Sequence, residues 1–230
     1  MKKKLLAILV MGVLHIAGTG LANASLLVNG DFDITADITG TWRQFNLSSM
    51  DPHEWEIFDA IPGWTAGAGK AGIEIQYNTF VDAYSPNFYV ELDTKGPNSN
   101  SSMFQTVHLA AGNYRVMWMY HARTNGADGN GIKGFVNKSG TSALAADLGS
   151  VSKKRSEMTA VWEEVVWEFS IAEDGNYDLW FEAFGIENTL GGFIDGVRLD
   201  AAPVPVPSTL LLFGTGMIGI IGSRLRRREQ

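Results

Sequence analysis

The 230-residue chain contains no cysteine. That excludes a disulfide framework, thiolate zinc ligation and a cysteine nucleophile, so stability must come from an apolar core or a bound metal. Histidine is nearly as scarce. His53, His108 and His121 are scattered through the body and show no metal-ligand spacing. Neither a Gly-x-Ser-x-Gly elbow nor a His-Glu-x-x-His pair occurs, which removes two common signatures of hydrolases. Gly67-Ala68-Gly69-Lys70-Ala71-Gly72 matches a dinucleotide fingerprint in letters only. It follows a Pro-Gly-Trp turn and runs into strand-like sequence, whereas phosphate binding needs a strand before it and a helix after it. Long helical periods are missing as well, and only Ser142 to Leu148 suggests a short turn of helix.

Positive charge is the next shortage. Net charge is −7, from 18 basic and 25 acidic residues. Seven of the basic residues lie in the two end segments described below, and only one acid does, so the body between them is near −13. Such a surface argues against nucleic acid or anionic lipid as partner and favours divalent cations or neutral glycans. Lys153-Lys154-Arg155 is the only basic run in the body and reads as a solvated loop.

What is present begins with the ends. Lys2, Lys3 and Lys4 form a positive region, Leu5 to Ala17 is apolar, and Ala22-Asn23-Ala24 fits small-x-small cleavage. Residues 1–24 are therefore expected to be a signal peptide, with a mature start at Ser25. At the other end, Val204, Pro205, Val206 and Pro207 precede an apolar run from Ser208 to Gly222, and then come Arg224, Arg226, Arg227 and Arg228. The run has fifteen residues. As a helix it spans about 22 Å, short of the roughly 30 Å of a bilayer core. Gly214, Gly216, Gly219 and Gly222 give it a small-residue stripe. The arginines should remain cytoplasmic and leave the body outside.

A Pro-rich break, a short apolar span and a basic stop in that order resemble the PEP-CTERM sorting signal in its Val-Pro-x-Pro form. Val206 stands where that family has its name-giving Glu. The resemblance implies a Gram-negative bacterium that makes exopolysaccharide, an exosortase that removes or exchanges the tail, and a transient inner-membrane intermediate. An ordinary C-terminal anchor is the alternative.

Residues 25–202 read as one all-β domain. Val165, Trp167 and Phe169 alternate with Glu164, Val166 and Glu168, and Tyr177 to Phe184 alternates in the same way. Similar runs occur at Ile73 to Tyr77, Phe88 to Leu92, Ser102 to Leu109, Tyr114 to Tyr120, Gly131 to Val136 and Phe193 to Leu199. Turn signals such as Ile61-Pro62-Gly63 and Glu173-Asp174-Gly175-Asn176 separate them, a pattern that predicts an antiparallel sandwich.

Five short stretches occur in a telling order: Leu27 to Phe32, Ile61 to Trp64, Ser102 to Val107, Ala111 to Tyr114 and Phe193 to Leu199. The series resembles the galactose-binding-like jelly rolls, which include many carbohydrate-binding modules and exported choice-of-anchor proteins. Thr35 to Asp59 is longer than the usual link and is expected to be a surface insertion. The resemblance implies a structural calcium ion where the first and last strands meet. Asp33, in place of the usual Glu, and Asp195 are its expected ligands, with Asn29 as a weaker one; Asp31 and Asp37 could be turn residues. The alternative is that these groups cap turns without metal.

All seven tryptophans lie in the body. Aromatic faces stack on sugar rings while polar neighbours read hydroxyls, so their abundance fits glycan binding as well as a core. Trp64, Trp118, Trp167 and Trp180 are expected in the core, and Trp42 and Trp55 on an exposed platform. A second candidate patch is the loop Asn125 to Asn130, which includes Asp128, beside His121 and Arg123; a plain turn is its alternative. Glycosidase chemistry needs two opposed carboxylates. Glu74 with Glu91, or Glu168 with Glu182, could face one another, although 24 acids always offer some pair. The expected function is non-catalytic polysaccharide recognition at the cell surface or in the matrix. A structural or adhesive matrix role is the alternative, and a glycoside hydrolase the third reading.

Overall fold

Period-two alternation becomes strand wherever the sequence shows it. The computed structural model describes residues 25–34, 38–39, 44–45, 53–125 and 129–202. Its strands are β1 (Ile38–Thr39), β2 (Gln44–Phe45), β3 (Trp55–Phe58), β4 (Ala60–Ile61), β5 (Trp64–Ala66), β6 (Ile73–Tyr77), β7 (Phe88–Glu91), β8 (Ser102–Leu109), β9 (Gly112–Ala122), β10 (Gly131–Lys138), β11 (Leu144–Val151), β12 (Glu163–Ile171), β13 (Gly175–Phe184) and β14 (Gly192–Ala201). One antiparallel sheet has the order β11-β10-β13-β8-β5-β4, a second β12-β9-β14-β7-β6-β3, and β1 pairs with β2. The two six-stranded sheets make the antiparallel jelly-roll sandwich that the sequence leads one to expect. The expected signal peptide, residues 1–24, and the tail 203–230 fall outside the described residues. Among the described residues, no helix is long and apolar enough to cross a membrane.

The sheets bury one continuous core. From β8, β13 and β9 it takes Met103, Val107, Leu179, Phe181, Val116 and Trp118, and Trp64 on β5 is 1% exposed. Each such side chain contributes about 1.5–3 kcal/mol of apolar burial. The first described residues lie along β14: Leu26 N–H donates to the Leu199 carbonyl at 2.8 Å, and Val197 N–H to the Gly30 carbonyl at 2.7 Å. A Cβ at Gly30 would collide with the Val197 carbonyl oxygen, so only glycine permits this approach.

Two expectations are overturned. Ser142 to Leu148 is no turn of helix, because Leu144 begins β11, an edge strand laddered on β10. One isolated helical turn gains little, and ladder pairing outweighs the helix preference of its alanines. Trp180 is not core either. Inward positions of β13 are Tyr177, Leu179, Phe181 and Ala183, which leaves Trp180 half-buried on the outer face. Trp64 and Trp118 are core, and Trp167 packs against it.

Candidate functional site

A ten-residue connection from Asn78 to Asn87 joins β6 to β7 and lies over the outer face of the second sheet. Side chains fasten it. Ala83 N–H donates to Asn78 Oδ1 at 2.7 Å, Phe80 N–H to the Tyr89 hydroxyl at 3.0 Å, and Trp162 Nε1–H to the Asp82 carbonyl at 2.9 Å. Beneath it Tyr89, Trp162 and Phe193 form a second apolar cluster, separate from the main core.

The connection ends in a built shelf. β14 shifts register between Asp195 and Arg198, and Gly196 sits there at φ +57°. A Cβ at that position would lie 3.0 Å from Tyr84 Cδ1 and 3.2 Å from Cε1. The Tyr84 ring therefore rests on backbone that only glycine leaves bare, and it is still 58% exposed. Ser85 anchors the shelf from below: its N–H donates to Asp195 Oδ2 at 2.9 Å, and its hydroxyl lies 2.8 Å from Asp195 Oδ1 and 2.9 Å from the Asp31 carbonyl. Tyr84 borders a cleft of about 550 Å³. Met117 and Met119 of β9 lie along the cleft, Asp31 and Ile34 come from the first segment, Glu164 from β12 and Arg198 from β14. An exposed ring beside an apolar floor, ringed by hydrogen-bonding groups, can stack on a sugar and read its hydroxyls.

The expected metal ligands meet beside this cleft. Asp195 is fully buried, and burial pushes its carboxyl up to about 7 against the N–H groups of Ser85 and Gly196. Both Asp33 carboxylate oxygens are buried without a hydrogen-bonded partner of good geometry, and burial, with repulsion from Asp31, raises that group as well. Asn29 is committed elsewhere: its amide donates to the Pro62 carbonyl at 2.9 Å, and its Oδ1 accepts from Ile34 N–H at 2.9 Å. Among the described residues, no group of three or more His, Cys, Asp or Glu side chains is arranged to hold a metal. Two carboxylates with a hydroxyl and backbone carbonyls fit calcium, which completes its shell with neutral oxygens and water, better than zinc.

The expected ligand-binding residues do not converge. Trp42 and Asp128 lie outside the described residues. Trp55 opens β3 at the edge of the second sheet, 37% exposed, with Lys95 Nζ 5.0 Å from its ring centre. It belongs to a strand because it pairs with Gln76, so the long link is not irregular at this end. His121 is not on a rim. It is 3% exposed, its ring parallel to Phe193 at 5.7 Å with Nδ1 against the Val161 carbonyl, and burial lowers its pKa. Arg123 forms an internal clamp: Nη1 reaches both Glu91 carboxylate oxygens at 2.6 Å and the Thr189 carbonyl at 2.5 Å, and the guanidinium stacks 4.1 Å from the Phe80 ring centre.

Glu74 and Glu91 do sit opposite one another on β6 and β7. Both are buried, and Gln76 Nε2 bridges them at 2.5 Å and 3.2 Å. Neither lines the cleft, so they do not flank a space for a glycosidic bond. Glu168 and Glu182 lie on different sheets.

Sequence reasoning missed Tyr84 and Glu164 as site residues. Tyr84 has no strand period around it, and its only local sign is the turn-rich Tyr84-Ser85-Pro86-Asn87; Glu164 looks like any outward position of an alternating strand.

Residues 203–228 match the model of the PEP-CTERM protein-sorting motif. The chain carries that sorting motif, which marks an exported protein. Among curated proteins none matches significantly. Among solved structures, the chain is similar to TmCBM61 in complex with β-1,4-galactotriose, at 22% identity and TM-score 0.40, over 60% of this chain and 88% of that one. It is similar to the CBM22-1 xylan-binding domain of Paenibacillus barcinonensis Xyn10C, at 12% identity and TM-score 0.43, over 67% and 96%. An isomalto-dextranase of Arthrobacter globiformis T6 with panose aligns at 16% identity and TM-score 0.43, over 68% of this chain and 24% of that enzyme.

Proposed function

We propose that this is a non-catalytic polysaccharide-binding protein of the cell surface or extracellular matrix, which passes through an inner-membrane intermediate and is processed by an exosortase. The observation that carries the reading is the Tyr84 shelf: the Cδ1–Cε1 side of an aromatic ring rests at Gly196, and the ring, still 58% exposed, borders a cleft of about 550 Å³. The sorting motif supports the location, because it directs export rather than any chemistry. Asp33 and Asp195, with Ser85 between them, would hold a calcium ion that satisfies the buried oxygens of Asp33 and fixes the base of the shelf.

Affinity electrophoresis of the mature domain through gels of neutral and acidic polysaccharides tests the binding. Retardation that is lost in Tyr84→Ala supports it, and an unretarded wild type in every gel refutes it. Intact mass of the protein from its native host tests the processing. A mass ending near Pro207, or modified there, agrees with exosortase action, whereas retention of Arg228 in the inner membrane does not.

A further inference from the structure

We infer that the Tyr84 cleft selects glycans that carry free amino groups; this rests on the polysaccharide reading and names the class of sugar. The cleft is lined by carboxylates from two different segments and by the ring. Asp31 comes from the first described segment and Glu164 from β12, and both are exposed and line the cleft. Among the described residues the only basic side chain in the lining is Arg198, and it is paired with the Asp200 carboxylate at 3.9 Å. The next cation along β9, Arg115, stands in register with Glu168 on one side and Asp200 on the other. With the flanking groups included, the four carboxylates Asp31, Glu164, Glu168 and Asp200 exceed Arg198, Arg115 and a Ser25 ammonium by one charge, and a divalent cation at Asp33 and Asp195 cancels those two.

This arrangement repels uronates and sulfates, whose anions would be desolvated against Asp31 and Glu164. A protonated amine on a sugar stacked against Tyr84 meets the opposite situation. It gains attraction from both carboxylates and from the ring face, since aromatic quadrupoles attract ammonium groups. Met117 and Met119 add an apolar floor that accepts the C–H face of the ring without competing for the charge. The acidic body adds long-range attraction for a polycation, which is sequence-wide and salt-sensitive rather than local.

Calorimetry with four hexasaccharides separates these contributions: glucosamine hexamer, its fully N-acetylated form, cellohexaose and oligogalacturonate, each at 20 and 500 mM salt. The first two share a backbone and differ only at the C2 nitrogen, a charged amine in one and a neutral acetamide in the other. The glucosamine hexamer is expected to bind roughly fivefold tighter than its acetylated form at low salt. That advantage should vanish in Asp31→Asn/Glu164→Gln and persist in Glu173→Gln, a remote carboxylate at the β12–β13 turn, while Tyr84→Ala weakens every sugar that binds. Equal or tighter binding of the acetylated or galacturonate hexamer overturns the amino preference and leaves polysaccharide recognition standing. Persistence of the advantage in the double variant also overturns it, assigning the effect to the whole acidic surface. Failure of all four sugars to bind the wild type removes the polysaccharide reading and this inference together.

Discussion

The outer faces of the two sheets spend their aromatic residues in opposite ways. On the first sheet Phe104, Trp180 and Phe135 stand in one row across β8, β13 and β10, in direct register. Their rings stack on each other, at 4.4 Å and 25° for Phe104 with Trp180 and at 5.7 Å and 8° for Phe135 with Trp180. Such spacing and angles are those of offset stacking, so each ring uses its neighbour as its partner and less of its face is left for a ligand. Lys70 and Lys133 close one side of the row by pairing with Glu182 at 3.7 Å and 3.4 Å. On the second sheet the Asn78 to Asn87 connection covers the part of the face around Tyr89 and Phe193, and near its end the Tyr84 ring rests at Gly196 and stays 58% exposed. Three stacked rings satisfy one another across a sheet, whereas an exposed ring on bare backbone keeps surface that a ligand could cover.

The roof of the second sheet is the sharper dependence, and breaking it should give the largest effect. Glu74, Glu91 and Asp93 are all buried on this side of the sheet, and Arg123, which pairs with Glu91, stacks on Phe80 of the connection. Arg123→Met leaves Glu91 buried without its partner, a change that costs about 3–5 kcal/mol. Chemical denaturation should show that loss, and an unchanged midpoint would mean that the clamp is not ionic. The same group has a pH signature. Burial first, then repulsion from Glu74 and Asp93, raises Glu91 well above its ordinary 4.5 despite Arg123; burial raises Glu74 as well. The folded state then retains protons that the unfolded chain has released, so stability is highest below about pH 4.5 and declines as pH rises through the folded-state values. His121 acts in the opposite direction, since burial lowers it from 6.5 and the fold loses stability as pH falls below that value. The difference between wild type and Glu74→Gln isolates the carboxylates: the variant should be the more stable of the two above pH 5, with the gap widening as pH rises. A gap that narrows with pH would contradict this.

Calcium should matter less than the clamp and more than any exposed ring. An ion bound only by the folded state stabilises by about 2.7 kcal/mol at a hundredfold excess over its Kd. For a domain of this size that is a rise of roughly 5–10 °C in Tm, lost in EDTA and absent in Asp195→Asn. Identical melting curves in EDTA and in millimolar calcium would remove the metal from the base of the shelf.

Much of the sandwich was legible because burial of one face imposes alternation, and alternation survives in a single sequence. Ile73 to Tyr77 and Ser102 to Leu109 are strands to the residue. Trp180 shows the limit. It sits in a clean alternation, but the pattern fixes only that Leu179 and Trp180 face opposite ways, and hydrophobicity alone assigned the larger residue inward. β3 was hidden because four residues give too few periods to see. Tyr84 was invisible for another reason, since its role depends on Gly196, 112 positions away in the chain. His121 and Arg123 were recognised as unusual and placed on a rim, yet a polar residue on a strand next to a loop looks the same whether that loop leaves it open or folds over it.

The contrast between the two faces is tested most finely by paired substitutions with opposite readouts. Trp180→Ala removes two stacked cross-strand partners and part of the cover over Gly67, so it should lower stability by about 1–2 kcal/mol without altering sugar binding. Tyr84→Ala should change stability by less than about 1 kcal/mol, because more than half of the residue is already in water, and yet reduce binding at least tenfold. Gly196→Ala joins the two. It places a Cβ 3.0 Å from the ring at a φ that L-residues resist, so it should cost about 1 kcal/mol and also weaken binding by tilting the shelf. If Trp180→Ala, rather than Tyr84→Ala, abolishes binding, the stacked row is the recognition surface. The shelf would then be a packing solution for the end of a long connection, and the free ring face would have no ligand to meet.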